Sequence, residues 1–122
     1  MKYSRYYADD GGETHIEDVQ VELTPRDFAP PAPPLYLSPL TPATGFAFAR
    51  FPAGWGGDWH PTPRRQIYFI LAGEIEGDTS DGDRRRLGPG DAVLLEDTTG
   101  KGHRARVVSD GDVLTAVVQL AD

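Results

Sequence analysis

The stretch that decides the fold is GWGGDWHPTPRRQIYFILAG, from Gly54 to Gly73. It places His60 after a flexible glycine run and before a strongly apolar segment, Gln66–Leu71. Successive side chains of a β-strand point to opposite faces, and this segment is apolar on both faces. Such a strand has no polar face to expose to water, so we expect the Pro-rich segment of the chain or a second subunit to cover one face.

The rest of the chain shows the same period-two pattern, broken by glycine and proline, with no apolar stripe at helical spacing. Turn signals at Ser80–Asp83 and Gly88–Asp91 contain glycines suited to tight reversals. Short strands at this spacing predict an all-β sandwich or small barrel. The predicted strands are 15–23, 44–51, 65–71, 74–79, 91–96, 103–108 and 113–120.

A Pro-rich segment, TPRDFAPPAPPLYLSPLTP (Thr24–Pro42), follows the first predicted strand. Proline lacks a backbone donor and fixes φ near −65°, so this segment cannot be a central strand. We expect an extended N-terminal arm that crosses the barrel surface. Its predicted anchors are Phe28, Leu35, Tyr36 and Leu37.

Composition limits the classes of function. The 122 residues predict one domain (1–122), with a first strand and Pro-rich arm in 1–43 and the barrel core in 44–122. A formal charge of −7 disfavours nucleic acid as a partner, and no apolar run approaches the roughly 20 residues of a membrane span. The absence of cysteine excludes disulfides and thiolate sites. These features predict a soluble cytoplasmic protein with no membrane partner.

The first half of a known motif lies within the opening stretch. Gly54, His60, Gln66 and Gly73 fall at the spacing of glycine, first histidine, glutamate and closing glycine in the small single-domain cupins, which the chain resembles. Thr62 stands where that family has its second histidine, and Gln66 stands in place of the glutamate. The resemblance implies a cupin-type double-stranded β-helix, a jelly-roll barrel, with a degenerate metal motif.

The second half of the motif resembles LGPGDAVLLEDTTGKGH, from Leu87 to His103. His103 matches the last ligand of the family, and Val107 replaces its asparagine. The resemblance covers roughly residues 44–120 and, with the two-sided apolar strand, implies a homodimer.

The complete motif implies three imidazoles and one carboxylate around a divalent iron, manganese, nickel or zinc ion. In this chain the matched ligands are His60, His103 and the weak donor Gln66. Compensation from His15, Glu96 or Asp97 is one alternative, and a barrel without metal is the other.

The same residues predict a polar pocket in the barrel mouth. His60, His103 and Gln66 are the candidate catalytic residues; the candidate ligand-binding residues are Thr62, Tyr68, Arg50, Trp59 and Glu96. Each of these residues also has a structural interpretation. The histidines can be interior residues that bond to each other or to Gln66, Tyr68 can belong to the core, and Arg50 can face outward. The tryptophans can pack on the arm, and Asp97 can cap its own turn.

Two classes of function fit these residues. The first is an enzyme, a small cupin acting as an oxygenase, isomerase or lyase on a small metabolite, with a metal or by acid–base chemistry. The second is a non-catalytic binding or sensor cupin that holds a small ligand without a metal. Fold alone does not separate the two, because one fold supports many functions.

Overall fold

A computed structural model describes residues Met1–Asp122 as an all-β domain without helices. No helix is therefore present that is long and apolar enough to cross a membrane. The strands are β1 (Lys2–Ala8), β2 (Thr14–Gln20), β3 (Thr24–Arg26), β4 (Leu35–Leu37), β5 (Ala43–Phe51), β6 (Gln66–Ala72), β7 (Ile75–Thr79), β8 (Arg84–Leu87), β9 (Ala92–Leu95), β10 (His103–Val107) and β11 (Val113–Leu120).

The strands form a β-sandwich with a large and a small sheet. The large sheet has six strands in the order β2-β1-β9-β6-β11-β5, and the small sheet has three in the order β10-β7-β8. All pairings are antiparallel except that of β1 with β9. Side chains from both sheets meet in one apolar core, and these sheets hold the candidate site residues between them. The buried core consists of Tyr6, Ile70, Ile75, Leu87, Val93, Leu95, Val107 and Val113.

The predicted barrel strands are confirmed to within two residues at most ends. Gly82 and Gly90 have φ of 89° and 92°, as the predicted reversals between strands require. Of the two main sheets, sequence reasoning gave no range for β8 and missed β1, which lies between β2 and β9 inside the large sheet. Its sequence, KYSRYYA, alternates buried Ser4 and Tyr6 with partly exposed neighbours, a pattern that its charged residues obscured.

The Pro-rich segment folds differently from the expectation. Within it, β3 and β4 pair with each other in a separate two-stranded sheet, which we call the hairpin arm (Thr24–Leu37). Phe28, Leu35 and Tyr36 are exposed, and only Leu37 is half-buried. The prediction that these side chains anchor an extended arm on the barrel surface is therefore wrong for the first three.

The face of the large sheet that points away from the core is apolar. On β6 it carries Ile67, Phe69 and Leu71, as the alternation predicted, and the paired strands extend it. We call its exposed part the outer face, made of Phe46, Phe48, Phe69, Leu71 and Leu114. Residues 38–41, at the end of the Pro-rich segment, share a groove with Ile67 and Phe69, so this segment covers part of the apolar side and leaves the five residues of the outer face exposed.

Candidate functional site

A cavity of about 370 Å³ lies between the two sheets. One part of its wall is apolar and aromatic, and the other carries the polar residues that the sequence analysis singled out. The apolar wall includes Tyr6, Phe51, Trp55, Ile70, Ile75, Leu87, Val93 and Leu95; the polar wall includes His60, Thr62, Gln66, Tyr68 and His103. The volume is at the lower end of the roughly 300–1,000 Å³ that small-molecule pockets occupy, so it suits a compact ligand.

The two histidines are brought together by their own backbones. His60 N–H donates to the His103 carbonyl and His103 N–H donates to the His60 carbonyl, each at 3.0 Å, which forms an isolated antiparallel bridge. The ring centroids are 4.8 Å apart. His60 is exposed and His103 is buried, so His60 lies nearer to solvent.

A glycine permits this close approach. Gly102 precedes His103, is buried, and has φ of 74°, a conformation that residues with a Cβ rarely adopt. A Cβ at this position would also collide with the backbone of His60 and Pro61. The glycine of the GKGH turn is therefore required by the bridge that aligns the two rings.

A buried carboxylate holds His103 from behind. Asp97, which is fully buried, accepts from His103 Nδ1 at 2.6 Å and from the Thr62 hydroxyl at 2.8 Å. The expectation that Asp97 caps its own turn is wrong, because its carboxylate reaches across to two other segments. Thr62, placed where the family has a histidine, serves this carboxylate rather than presenting a free hydroxyl.

The bonds at Nδ1 fix which ring nitrogen of each histidine is free. His60 Nδ1 lies 2.7 Å from the Asp58 carbonyl, which only accepts, so in the neutral ring Nδ1 carries the proton and Nε2 has the lone pair. An ionised carboxylate also only accepts, which gives neutral His103 the same tautomer. Neither Nε2 has a partner within the protein. In their neutral form the two rings therefore present two acceptors side by side at the cavity wall.

Two further polar groups in the cavity lack protein partners. Gln66 is 93% buried, with 7% of its surface exposed, and its side-chain amide bonds to no protein group. The Tyr68 hydroxyl is also unpaired, and burial raises the pKa of Tyr68. By contrast, the Tyr6 hydroxyl donates to the Gly77 carbonyl at 3.1 Å, and burial raises its pKa too. No buried side-chain nitrogen or oxygen lacks a partner, so the Gln66 amide is accessible from the cavity and is free to bond to a ligand or to water there.

These donors do not fit a resident first-row divalent metal. Such sites use three or four protein ligands drawn from imidazoles, carboxylates and thiolates. Here the cavity offers two imidazoles and a neutral amide, while the carboxylate of Asp97 is occupied behind His103. No group of three or more histidine, cysteine, aspartate or glutamate side chains is arranged to hold a metal ion.

Two of the predicted ligand-binding residues lie away from the cavity wall. Arg50 points outward from β5, with its Nη1 3.6 Å from Asp112 Oδ2. Trp59 is exposed and stacks under Arg104, whose guanidinium carbon is 4.8 Å from its ring centroid. The tryptophan that lines the cavity is Trp55, packed edge-on against Phe51 at 4.8 Å.

Glu96 also lies outside the cavity wall. It bridges Arg5 and Arg65, and although burial raises its pKa, hydrogen bonds from the two arginines lower it below the usual value. Glu96 therefore fastens β1 to the start of β6 as a structural ion pair.

His15 has different hydrogen-bond partners from the other two histidines. Its ring nitrogens lie 2.7 Å from Asp9 and 3.0 Å from Asp81, and the Asp9 bond, with support from Asp81, raises its pKa. His15 does not line the cavity, so the structure does not bring it to the candidate metal ligands.

The family model described as "Cupin domain" matches residues 47–118, which is more than half of the chain. The chain belongs to the cupin family. The matched range includes His60, Gln66 and His103, but it leaves β1 and β2 outside.

One curated relative is the dimethylsulfoniopropionate lyase DddQ of Ruegeria pomeroyi, 51% identical over 43 residues, which span 35% of this chain and 21% of the relative. The crystal structure of that lyase matches with a TM-score of 0.53 and 28% identity, covering 83% of this chain and 48% of the other. This chain thus spans about half, or less, of that protein.

Solved structures at lower identity share the fold. A cupin 2 conserved barrel domain protein from Salinispora arenicola matches with a TM-score of 0.52 and 18% identity over 83% of this chain and 76% of the other. The cupin domain of Schizosaccharomyces pombe Cnp3 matches with a TM-score of 0.53 and 11% identity over 99% and 84%. These likenesses support the β-sandwich and say nothing about a ligand.

Proposed function

We propose that the protein binds a compact metabolite in the cavity and transfers a proton to or from it with His103, as a lyase or isomerase that needs no metal. The observation that carries this proposal is the Asp97–His103 pair. A buried carboxylate holds the imidazole through Nδ1 and leaves Nε2 without a protein partner in a residue that lines the cavity. This is the arrangement in which histidine serves as a general base or acid.

The remaining cavity groups suit a ligand with an apolar or cationic body and a polar end. The Gln66 amide and the Tyr68 hydroxyl can donate hydrogen bonds to the polar end of a ligand, such as a carboxylate, while neutral His60 Nε2 can accept one from a ligand that carries a donor. Phe51 and Trp55 of the apolar wall form an aromatic cluster with Tyr68 of the polar wall, with the Phe51 ring 4.8 Å from that of Trp55 and 6.1 Å from that of Tyr68. Aromatic faces attract organic cations as well as apolar groups.

The likeness to dimethylsulfoniopropionate lyase makes the lyase class the first to test. Elimination from a sulfonium carboxylate removes a proton from the carbon beside the carboxylate. The electron pair of that C–H bond forms the C=C bond, and the C–S bond breaks so that its pair leaves with a neutral thioether. In this chain His103 Nε2 is the base proposed to take the proton, and the aromatic cluster is the surface proposed to hold the sulfonium.

The test uses protein purified without a metal-affinity tag and treated with a chelator. Binding of dimethylsulfoniopropionate and of smaller and larger carboxylates is measured by calorimetry, and turnover by proton NMR of the unsaturated product. His103→Gln removes the base and is expected to lower turnover by roughly 10²-fold or more. His15→Gln is the matched control, because it removes a histidine that lies outside the cavity.

Each outcome decides a part of the proposal. Turnover that survives the chelator, falls in His103→Gln and persists in His15→Gln supports metal-independent catalysis. Turnover that disappears with the chelator and returns with an added metal contradicts it. Binding without turnover of any compound in the series overturns the enzymatic part and leaves a non-catalytic binding cupin, which the unpartnered Gln66 amide favours.

A further inference from the structure

The β1–β2 hairpin, residues 2–20, lies outside the range that the family model matches, yet it packs against the GKGH turn, residues 100–103. The two backbones meet at a pair of glycines. A Cβ at Gly100 would be 2.4 Å from the Gly12 carbonyl oxygen, and the Lys101 N–H donates to that same carbonyl at 2.9 Å. The hairpin and the turn that carries His103 therefore form one packed unit.

Thr14 is the residue of this hairpin that reaches the peptide group in front of His103. It is fully buried, and its hydroxyl donates to the Gly102 carbonyl at 2.7 Å, which is closer than the Ser80 hydroxyl at 3.0 Å. The Thr14 Oγ1 also accepts from the Ser80 N–H at 2.7 Å, and the Thr14 N–H donates to the Ser80 hydroxyl at 2.8 Å. Ser80 therefore holds Thr14 in place with its hydroxyl directed at Gly102.

The peptide group between Gly102 and His103 is held at both ends. The group is planar, so its carbonyl and its N–H turn together. Thr14 binds the carbonyl, and the N–H donates to the His60 carbonyl at 3.0 Å. Because glycine at position 102 permits a wide range of backbone angles, the chain itself does not fix this plane. Its orientation sets φ of His103 and hence the direction in which the imidazole leaves the backbone.

Tyr6 of β1 contacts the imidazole directly. Its ring meets the His103 ring edge-on, with centroids 5.9 Å apart, and its hydroxyl is fixed by the bond to the Gly77 carbonyl. The β1–β2 hairpin thus restrains His103 at the ring through Tyr6 and at the backbone through Thr14.

We propose that Thr14 is a positioning residue for His103 and that the β1–β2 hairpin is thereby part of the site. The Thr14 hydroxyl keeps the peptide plane in the orientation that places the imidazole against Asp97 on one side and beside His60 on the other. The expected effect on turnover rests on the proposed function, whereas the expected effect on the backbone of His103 does not.

The position of Thr14 separates its effect on rate from any effect on binding. Thr14 does not line the cavity, whereas Gln66 and Tyr68 do. Removal of the Thr14 hydroxyl should therefore lower kcat, by misaligning His103, and leave KM and ligand affinity within about twofold.

The test compares backbone hydrogen exchange, read by NMR, in the unaltered full chain, Thr14→Val and Thr14→Ser. Valine keeps the shape of threonine and removes the hydroxyl, while serine keeps the hydroxyl. Thr115→Val is the matched control, because Thr115 is also buried and its hydroxyl donates to the Ala49 carbonyl at 3.0 Å in the large sheet. The amides of β6 and β9 report opening of the whole domain.

In Thr14→Val we expect the His103 amide to exchange about tenfold faster or more, relative to the amides of β6 and β9. In Thr14→Ser this ratio should return to within about threefold of the unaltered value, and in Thr115→Val it should not change. A rise shared equally by all amides would mean that Thr14 only stabilises the fold, and would overturn the proposal.

Ser80→Ala provides the test if Thr14→Val does not fold, because it removes the acceptor of the Thr14 N–H and keeps the Thr14 hydroxyl. It should raise exchange selectively at His103 by about threefold, and an unchanged ratio overturns the proposal.

Turnover distinguishes this inference from the proposed function. A kcat lowered about tenfold or more in Thr14→Val, with unchanged affinity, supports both. An unchanged kcat despite selective exchange overturns the positioning role and leaves the proposed function intact. If the unaltered chain binds ligands without turnover, the enzymatic proposal fails, and the exchange ratio alone decides the role of Thr14.

Discussion

Replacing Asp97 with asparagine tests the core of the site, because one carboxylate holds both Thr62 and His103. Asparagine has the same shape but keeps a single acceptor oxygen, and its amide must turn a donor toward one of the two partners. The Thr62 hydroxyl can rotate to accept, or His103 can shift its proton to Nε2. In either case two bonds to a charged group become two neutral bonds.

The magnitude follows from the burial of the carboxylate. Hydrogen bonds to charged groups contribute about 1.5–3 kcal/mol and neutral ones about 0.5–1.5 kcal/mol, so the loss is about 1 kcal/mol per bond. We expect Asp97→Asn to lower the free energy of unfolding by about 2 kcal/mol, measured by urea titration. Turnover, where it is found, should fall by roughly 10³-fold or more because the imidazole loses its orientation.

The tautomer of His103 provides a readout that a merely structural role would not move. The chain has three histidines, so long-range proton–nitrogen NMR spectra can be assigned ring by ring. In the unaltered protein His60 and His103 should both carry the proton on Nδ1 when neutral. In Asp97→Asn the ring signals of His103 should shift, either because its charged acceptor becomes neutral or because its proton moves to Nε2, while those of His60, which bonds to a backbone carbonyl, should not. An unchanged His103 spectrum, together with a stability loss below about 0.5 kcal/mol, would refute the reasoning.

Three further outcomes are expected. Gly102→Ala should lower the free energy of unfolding by roughly 3 kcal/mol, because it combines positive φ with a collision against the His60 backbone; a midpoint unchanged in urea would contradict the bridge. His15→Gln should remove a contribution to stability that is complete below about pH 6.5 and that fades as pH rises through the raised pKa of His15. The urea midpoints of the two proteins should therefore converge between about pH 6 and 9. A constant difference would count against the paired imidazolium. Tyr68→Phe should leave stability within about 0.5 kcal/mol and alter only ligand affinity by calorimetry, because its hydroxyl has no protein partner; a larger stability loss would mean that the hydroxyl is bonded in solution.

Much of the barrel was predictable because its strands alternate cleanly and its turns contain glycine. The same alternation placed Gln66 and Tyr68 on the cavity side of β6, where the structure has them. Arg50 remained ambiguous, since parity alone does not say which face of a strand is buried, and Asp112 resolves it by lying on the outside.

The pairing of Asp97 with His103 and Thr62 was not predictable from local patterns. It joins two loop residues to the first residue of β10, and these are adjacent only after both sheets have packed; an aspartate after a strand is equally suited to capping a turn. The hairpin arm was missed for a similar reason. Its prolines exclude a central strand, yet they allow the short isolated ladder of β3 with β4.

Because a backbone bridge joins His60 and His103, the positions of the two residues do not depend on which side chains lie beside them. The main-chain bridge fixes the two backbones and the bonds to Asp58 and Asp97 orient the rings, whose centroids are 4.8 Å apart, while position 66 makes no hydrogen bond to either ring. Gln66→Glu would therefore add an anionic donor to the cavity wall that carries both imidazoles without altering the bonds that hold them. The affinity of the barrel mouth for a metal ion can therefore be changed by exchanging this one amide for a carboxylate, while the rest of the fold stays the same.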